Sequence, residues 1–229
     1  MSRTSRTITI VACVAVAARL AFGQAPAAPA PPRGGPGPLR VMASAATPDQ
    51  PPPMMNFGNE TGLIAEDGTF ELRGGLGPVL FRVSTPRQWS LKSVTLDGDN
   101  ITDIPVDLKN GEQLELRVVV TDKLTDISGG VSNGRAQSLK DYVVVVQPAE
   151  PLPASVAARF TRSARPDQDG RFRVRGMPPG RYIATAVEAL EQGREWDPEY
   201  QPKLREAEKA FSIREGESVV LDLTLAEGL

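Results

Sequence analysis

Apolar and polar residues alternate with a period of two over much of this 229-residue chain. That is the pattern of strands with one dry face and one wet face. The clearest case is residues 167–182, DQDGRFRVRGMPPGRY, where Phe172 and Val174 alternate with Arg171, Arg173 and Arg175. Asp169-Gly170 just before them is a tight-turn dipeptide, suited to a two-residue hairpin whose central positions need positive φ. Residues 176–180 read as a Pro/Gly corner. Tyr182, Ala184 and Ala186 then carry the alternation along a return strand.

The same pattern predicts strands at residues 39–43, 63–65, 70–72, 78–83, 90–96, 113–121, 127–131 and 218–225. Residues 101–108 read as a turn and a short strand, and residues 157–161 as the lead into the 167–182 hairpin. Residues 142–146, YVVVV, are apolar without a break, which predicts a central strand buried on both faces.

The pattern occurs twice. Asp67-Gly68-Thr69-Phe70-Glu71-Leu72-Arg73-Gly74 lies 102 residues before the copy at Asp169-Gly170. Val41 to Ser44 falls 102 residues before Val143 to Val146, and Lys109-Asn110-Gly111-Glu112 parallels Arg214-Glu215-Gly216-Glu217. A period near 100 residues marks a tandem domain repeat rather than a solenoid. We expect a first domain at residues 39–121 and a second at 122–229. The counterpart of the 127–131 strand would fall in a Pro-rich stretch, so the first domain is expected to lack its first strand. The second is expected to carry an insertion at residues 188–210, the only helical candidate. There Asp197 can cap the first amides, Pro198 suits the first helical position, and Tyr200, Leu204, Ala207 and Phe211 form a narrow apolar stripe. The expected fold is therefore all-β: two tandem antiparallel β-sandwiches, with one short helix in the insertion.

Residues 1–23 read as a secretory signal. Arg3 and Arg6 give a basic start, residues 8–18 an apolar run, and Ala21 and Gly23 the small residues before a cleavage site at Gln24. Ile10-Val11-Ala12-Cys13 also matches a bacterial lipobox, the alternative processing route through Cys13, although few apolar residues precede it. Residues 24–38, QAPAAPAPPRGGPGP, form a Pro/Ala/Gly-rich linker that cannot bury a core. The expected location is outside the cytoplasm: periplasmic, outer-surface or secreted.

Composition removes several function classes. Base is not clustered, so no nucleic-acid footprint is expected. No uncharged apolar run of about 18 residues exists, so no membrane-spanning helix is expected in the mature chain. The chain has no His, which removes the commonest general base and zinc ligand. Cys13 is its only Cys, so no intramolecular disulfide is possible.

At DG-x-F-x-[VL]-R-G followed by PPGRY, the chain resembles bacterial carboxypeptidase regulatory-like domains. The resemblance implies a transthyretin-like (prealbumin-like) β-sandwich, grouped with carbohydrate-binding-like folds, and an accessory module of secreted or envelope proteins. The second domain carries the pattern fully. The first has Gly74-Gly75-Leu76-Gly77-Pro78 in place of G-[LM]-P-P-G. The peptidase to which such domains are appended uses His ligands for its metal, so no catalytic role carries over.

Each candidate site has a plainer explanation beside it. Gly130-Val131-Ser132-Asn133-Gly134 matches a nucleophile-elbow pattern, but that motif needs a strand-to-helix turn and a His, and a β-turn on Asn133-Gly134 accounts for it. Asp167-x-Asp169-Gly170 and Asp97-Gly98-Asp99-Asn100 resemble fragments of calcium loops; nearby Arg171 and Arg173 oppose a cation, and hairpin turns account for both. Arg171, Arg173, Arg175 and Arg181 form a basic stripe, expected to be a solvated face paired with acids. Trp196 and Tyr200 are the candidate ligand-binding residues, able to stack on a sugar face; the plainer role is to pin the insertion to the sandwich. Trp89 reads as core or rim. No cofactor and no metal are expected. The function expected is a non-catalytic exported structural or interaction module, its partner an envelope protein or a glycan. The alternative is carbohydrate binding through Trp196 and Tyr200, and an enzyme needing a carboxylate pair is the remote one.

Overall fold

The computed structural model describes residues 7–15, 39–46, 61–64, 68–70, 77–109, 113–191, 193–197, 199–206 and 208–226. The chain packs into two units that divide after Asp122, each built of two sheets facing one another across an apolar core. Among the described residues the fold is all-β in both, with short helices only in the second.

The first unit holds β1 (Thr7–Ala15), β2 (Arg40–Ala45), β3 (Thr61–Leu63), β4 (Gly77–Ser84), β5 (Ser90–Leu96), β6 (Asp99–Asn100), β7 (Val106–Leu108) and β8 (Gln113–Thr121). One sheet runs β3-β2-β4-β7 and the other β1-β8-β5-β6, all antiparallel. Alternation sends one side chain in two inward: Val41 and Ala43 from β2, Val79 and Phe81 from β4, Val94 from β5, and Leu116, Val118 and Val120 from β8 make the core. Phe70 is buried in it and Trp89 packs against it. Most of the upstream Asp67 to Gly74 repeat lies outside the described residues, as do the 24–38 linker and Pro198. β8 does not lack a neighbour: β1, from the stretch that reads as an export signal, pairs with it over nine residues.

The second unit holds β9 (Asp126–Ser132), β10 (Val143–Pro148), α1 (Ala154–Phe160), β11 (Arg162–Ala164), β12 (Arg171–Arg175), β13 (Gly180–Val187), a 3-10 turn (Arg194–Trp196), α2 (Gln201–Glu206), β14 (Lys209–Ile213) and β15 (Ser218–Thr224). One sheet is β11-β10-β13-β14 and the other β12-β9-β15. Its core takes Ile127 and Val131 from β9, Val144 and Val146 from β10, Phe172 and Val174 from β12, Tyr182 and Ala184 from β13, and Leu221 and Leu223 from β15.

Several expectations change. β15 pairs with β9 in parallel, so the sandwich is not purely antiparallel; a period of two sets which face is buried but not the direction of the neighbour. The Asp169-Gly170 turn joins β11 to β12, which belong to different sheets, so it is not a ladder hairpin. Gly170 has φ 75, but Asp169 has no positive φ. The Asp167 carboxylate shapes the turn instead, accepting from the N–H groups of Asp169 (3.0 Å) and Arg171 (2.9 Å). The corner at 176–180 likewise carries β12 to β13 across the sandwich, so Arg181 does not share a face with the β12 arginines. A second helix, α1, occupies part of the lead into the turn. It begins at Pro153, whose carbonyl accepts from Val156 and Ala157, and runs through Ala-rich sequence that favours helix.

The supposed insertion is a slot shared by both units. Residues 85–105 between β4 and β7 match residues 188–208 between β13 and β14 in length. The first unit fills the slot with β5 and β6, because its residues alternate. The second fills it with the 3-10 turn and α2, because Tyr200 and Leu204 are spaced four apart and share one helix face.

Candidate functional site

β10 is the central strand on which the site is built. It lies between β11 and β13, and its residues alternate between two dry environments. Val144 and Val146 enter the sandwich core. Val143 and Val145 face the other way, beside Val187 of β13, and pack against Tyr200 and Leu204. This is the central strand buried on both faces that the unbroken YVVVV run predicts. The slot segment lies on a sheet face and is fastened there. The Thr185 hydroxyl donates to the Leu204 carbonyl, and the Arg205 guanidinium donates to the carbonyls of Ala149 (2.9 Å) and Pro148 (3.3 Å) at the end of β10.

The next residue on this face of β10 is Gln147. Here a cavity of about 540 Å³ opens, with Gln201 and Arg205 of α2 along its side. Pro148, Pro151, Leu152 and Trp196 give it apolar walls; Glu150, Asp197, Gln201 and Arg205 give it a polar rim. Gln147 is 1% exposed, and its side-chain Nε2 has no hydrogen-bond partner. An unpaired buried amide costs about 1–3 kcal/mol; Nε2 itself is closed to solvent, so an acceptor lying in the cavity would relieve that cost once the side chain turns toward it. The other polar groups have assigned tasks. Gln201 donates to the Glu195 carbonyl (2.7 Å), the Asp197 carboxylate accepts from the Glu199 N–H (2.9 Å), and Glu150 pairs with Arg181.

The structure separates the two aromatic candidates. Trp196 closes the 3-10 turn, is half-buried, and lines the cavity. The turn that presents it starts at Gly193, whose φ of 90 suits glycine. Tyr200 is 5% exposed, packed on Val143 and Val145, with the Arg194 guanidinium 4.7 Å from the centre of its ring. Its ring is covered and pins the segment to the sheet. Gln147 is the functional candidate that sequence reasoning missed. The available signal was a polar residue continuing the parity of Val143 and Val145.

The remaining motifs resolve into structure. Asn133 builds its turn by accepting from the N–H groups of Arg135 and Gln137, both at 3.0 Å, and β9 is followed by that turn rather than a helix. Arg173 forms a two-pronged contact with Asp126, and Arg175 lies 3.7 Å from the same carboxylate. The hydrogen bond from Arg173 holds the Asp126 carboxyl below its ordinary range, with the charges of Arg173 and Arg175 adding to it against a partial opposing effect of burial. Among the described residues, no group of three or more His, Cys, Asp or Glu is placed to hold a metal. No described helix is long and apolar enough to cross a membrane.

No protein-family model matches the chain, and no curated protein matches it. Among solved structures, a proposed carbohydrate-binding protein of Pseudomonas aeruginosa aligns with 44% of this chain and 87% of its own, at 16% identity and a TM-score of 0.30. The major pilin subunit of Bacillus cereus aligns with 96% of this chain and 99% of its own, at 7% identity and a TM-score of 0.30. A shaft pilin of Lactobacillus rhamnosus GG aligns with 98% of this chain and 99% of its own, at 11% identity and a TM-score of 0.32. Likeness at this level does not indicate what this chain binds.

Proposed function

We propose that the chain is a non-catalytic module, exported through residues 1–23 to the cell envelope or the secreted fraction, whose second unit binds carbohydrate in the cavity floored by Gln147. The observation that carries this reading is the unpaired Gln147 amide buried beside Trp196. A sugar offers what such a place lacks: hydroxyl and ring oxygens that accept hydrogen bonds, and an apolar C–H face that fits against an indole. Planar polar side chains at the rim, Asp197 and Gln201 among them, suit the donor and acceptor sides of hydroxyl groups. Resemblance to the carboxypeptidase regulatory-like domains supports an accessory role.

Catalysis finds little support in the cavity. A glycosidase works with two carboxyl groups, one of them protonated. Glu150 is already engaged by the Arg181 guanidinium and Asp197 by the Glu199 N–H, so neither carboxyl stands free as half of such a pair.

Titration of the purified chain with a panel of glycans tests the reading. Trp89 and Trp196 are the only tryptophans, so Trp196 fluorescence should respond while a Trp196→Phe variant stays silent. Trp196→Ala should abolish binding and, because the ring is half-buried, lower unfolding free energy by only about 1–2 kcal/mol. A silent panel, or binding unaltered in Trp196→Ala, would remove carbohydrate from the account.

A further inference from the structure

The second sheet of the first unit depends on a strand attached in an unusual way. β1 pairs with β8 and, among the described residues, with no other strand. Residues 16–38, ending in the Pro-rich stretch, separate it from the rest of the unit in sequence. β1 itself overlaps residues 8–18, the apolar run that reads as the centre of the export signal. If residues 1–23 are removed on export, β8 loses a nine-residue antiparallel partner, from Gln113↔Ala15 to Thr121↔Thr7.

What remains would be an edge suited to pairing. β8 is among the longest strands in the chain, and Leu116, Val118 and Val120 hold its inner face in the core at 0%, 0% and 1% exposure. Glu115 and Arg117 keep its outer face wet. Three other edges are guarded: on β15 the Asp222 carbonyl accepts from Lys209 Nζ (2.8 Å), β12 carries three exposed arginines, and β6 has two residues. A long edge with unpaired N–H and C=O groups is a template for a further strand.

We propose that the processed chain uses the β8 edge to capture an extended segment of a protein partner, added antiparallel along Gln113–Thr121. The site takes a Pro-free segment rich in β-branched apolar residues, the composition of Thr7–Ala15 itself, TITIVACVA. Proline is excluded because each ladder position needs its N–H. This inference rests on residues 1–23 being a removed leader and is independent of the carbohydrate cavity.

The test uses the full chain with a specific protease site introduced between Gly23 and Gln24, folded first and then cut. Amide exchange across Gln113–Thr121 should quicken when the freed fragment is washed away. It should slow again by about tenfold, equivalent to about 1.4 kcal/mol of local opening, when a synthetic Thr7–Ala15 strand carrying Cys13→Ser is added. The same peptide with Ile10→Pro should fail to restore protection. Unchanged exchange after loss of the fragment, or equal protection by the Pro peptide, overturns the proposal. Doubling of the mass of the cut chain would assign the edge to a second copy and overturn the partner. An exported chain that retains Thr7–Ala15, read by intact mass, overturns it as well. Glycan binding by the cut chain is measured alongside, so failure here is distinguishable from failure of the cavity reading.

Discussion

Gly129 is the position where adding one methyl group tests the packing of the second sandwich most severely. β9 runs between β12 and β15, and Gly129 pairs with Phe172 on one side and Leu221 on the other. A Cβ on Gly129 would lie 1.8 Å from the Leu221 carbonyl oxygen, 2.7 Å from its carbon and 3.0 Å from Cε1 of Phe172. Carbon and oxygen normally approach to about 3.3 Å at closest, so β15 must retreat by roughly 1.5 Å. No rotamer relieves this, because the obstacle is backbone. Overpacking costs about 1–3 kcal/mol, and two weakened ladder bonds add about 1 kcal/mol each. Gly129→Ala should therefore destabilise the second unit by about 3–5 kcal/mol, a large part of the roughly 5–15 kcal/mol that holds a domain together. Gly130 is the internal control: nothing lies within 4 Å of a Cβ there, and Gly130→Ala should be nearly neutral. Urea denaturation of both variants, with Trp196 fluorescence reporting the second unit, measures the difference. A Gly129→Ala midpoint matching that of Gly130→Ala would refute the close parallel packing of β9 and β15.

Two further outcomes follow from buried and paired groups. Tyr142 is fully buried and its hydroxyl donates to the Gly170 carbonyl at 2.7 Å, so Tyr142→Phe should cost about 1–2 kcal/mol in the same denaturation. Burial pushes its phenol up; that contribution is present below the unfolded value near pH 10 and fades as pH rises through the folded one, so the variant should lose less stability in alkali than the parent. The Asp126 carboxyl is held low by Arg173, so its contribution is present above about pH 4 and is lost as pH falls through the depressed value. Arg173→Gln should lower the melting temperature at neutral pH and leave it unchanged in strong acid; an equal deficit at both would show that Arg173 acts through packing.

Much of the fold was legible because burial on a sheet imposes a period of two. Val219, Leu221, Leu223 and Leu225 forecast β15, and Leu114 to Val120 forecast β8, because each needs one dry face. Direction and sheet membership left no such mark. Nothing in β9, with glycines at its centre, says that its neighbour runs parallel, and nothing in Asp169-Gly170 says that the turn crosses between sheets. The shared slot reads as an insertion in sequence because one filling alternates and the other is helical, so the two copies do not align by pattern.

The cavity was half legible. Trp196 and Tyr200 carry the same chemical signal, yet four-residue spacing to Leu204 buries Tyr200 while Trp196 stops short of the helix. Gln147 reads as the polar end of an apolar strand. Its importance depends on how α2 and the 3-10 turn close over this end of β10, which is a tertiary fact.

On the proposed reading, the Gln147 amide is the group that a bound sugar completes. Side-chain amide resonances of Gln147, observed by NMR as a glycan is added, test this directly. The Gln147 amide and the Trp196 indole N–H should shift together and saturate together, while the Trp89 indole stays still. A bound glycan that leaves Gln147 unmoved, or that moves Trp89 instead, would contradict that reading.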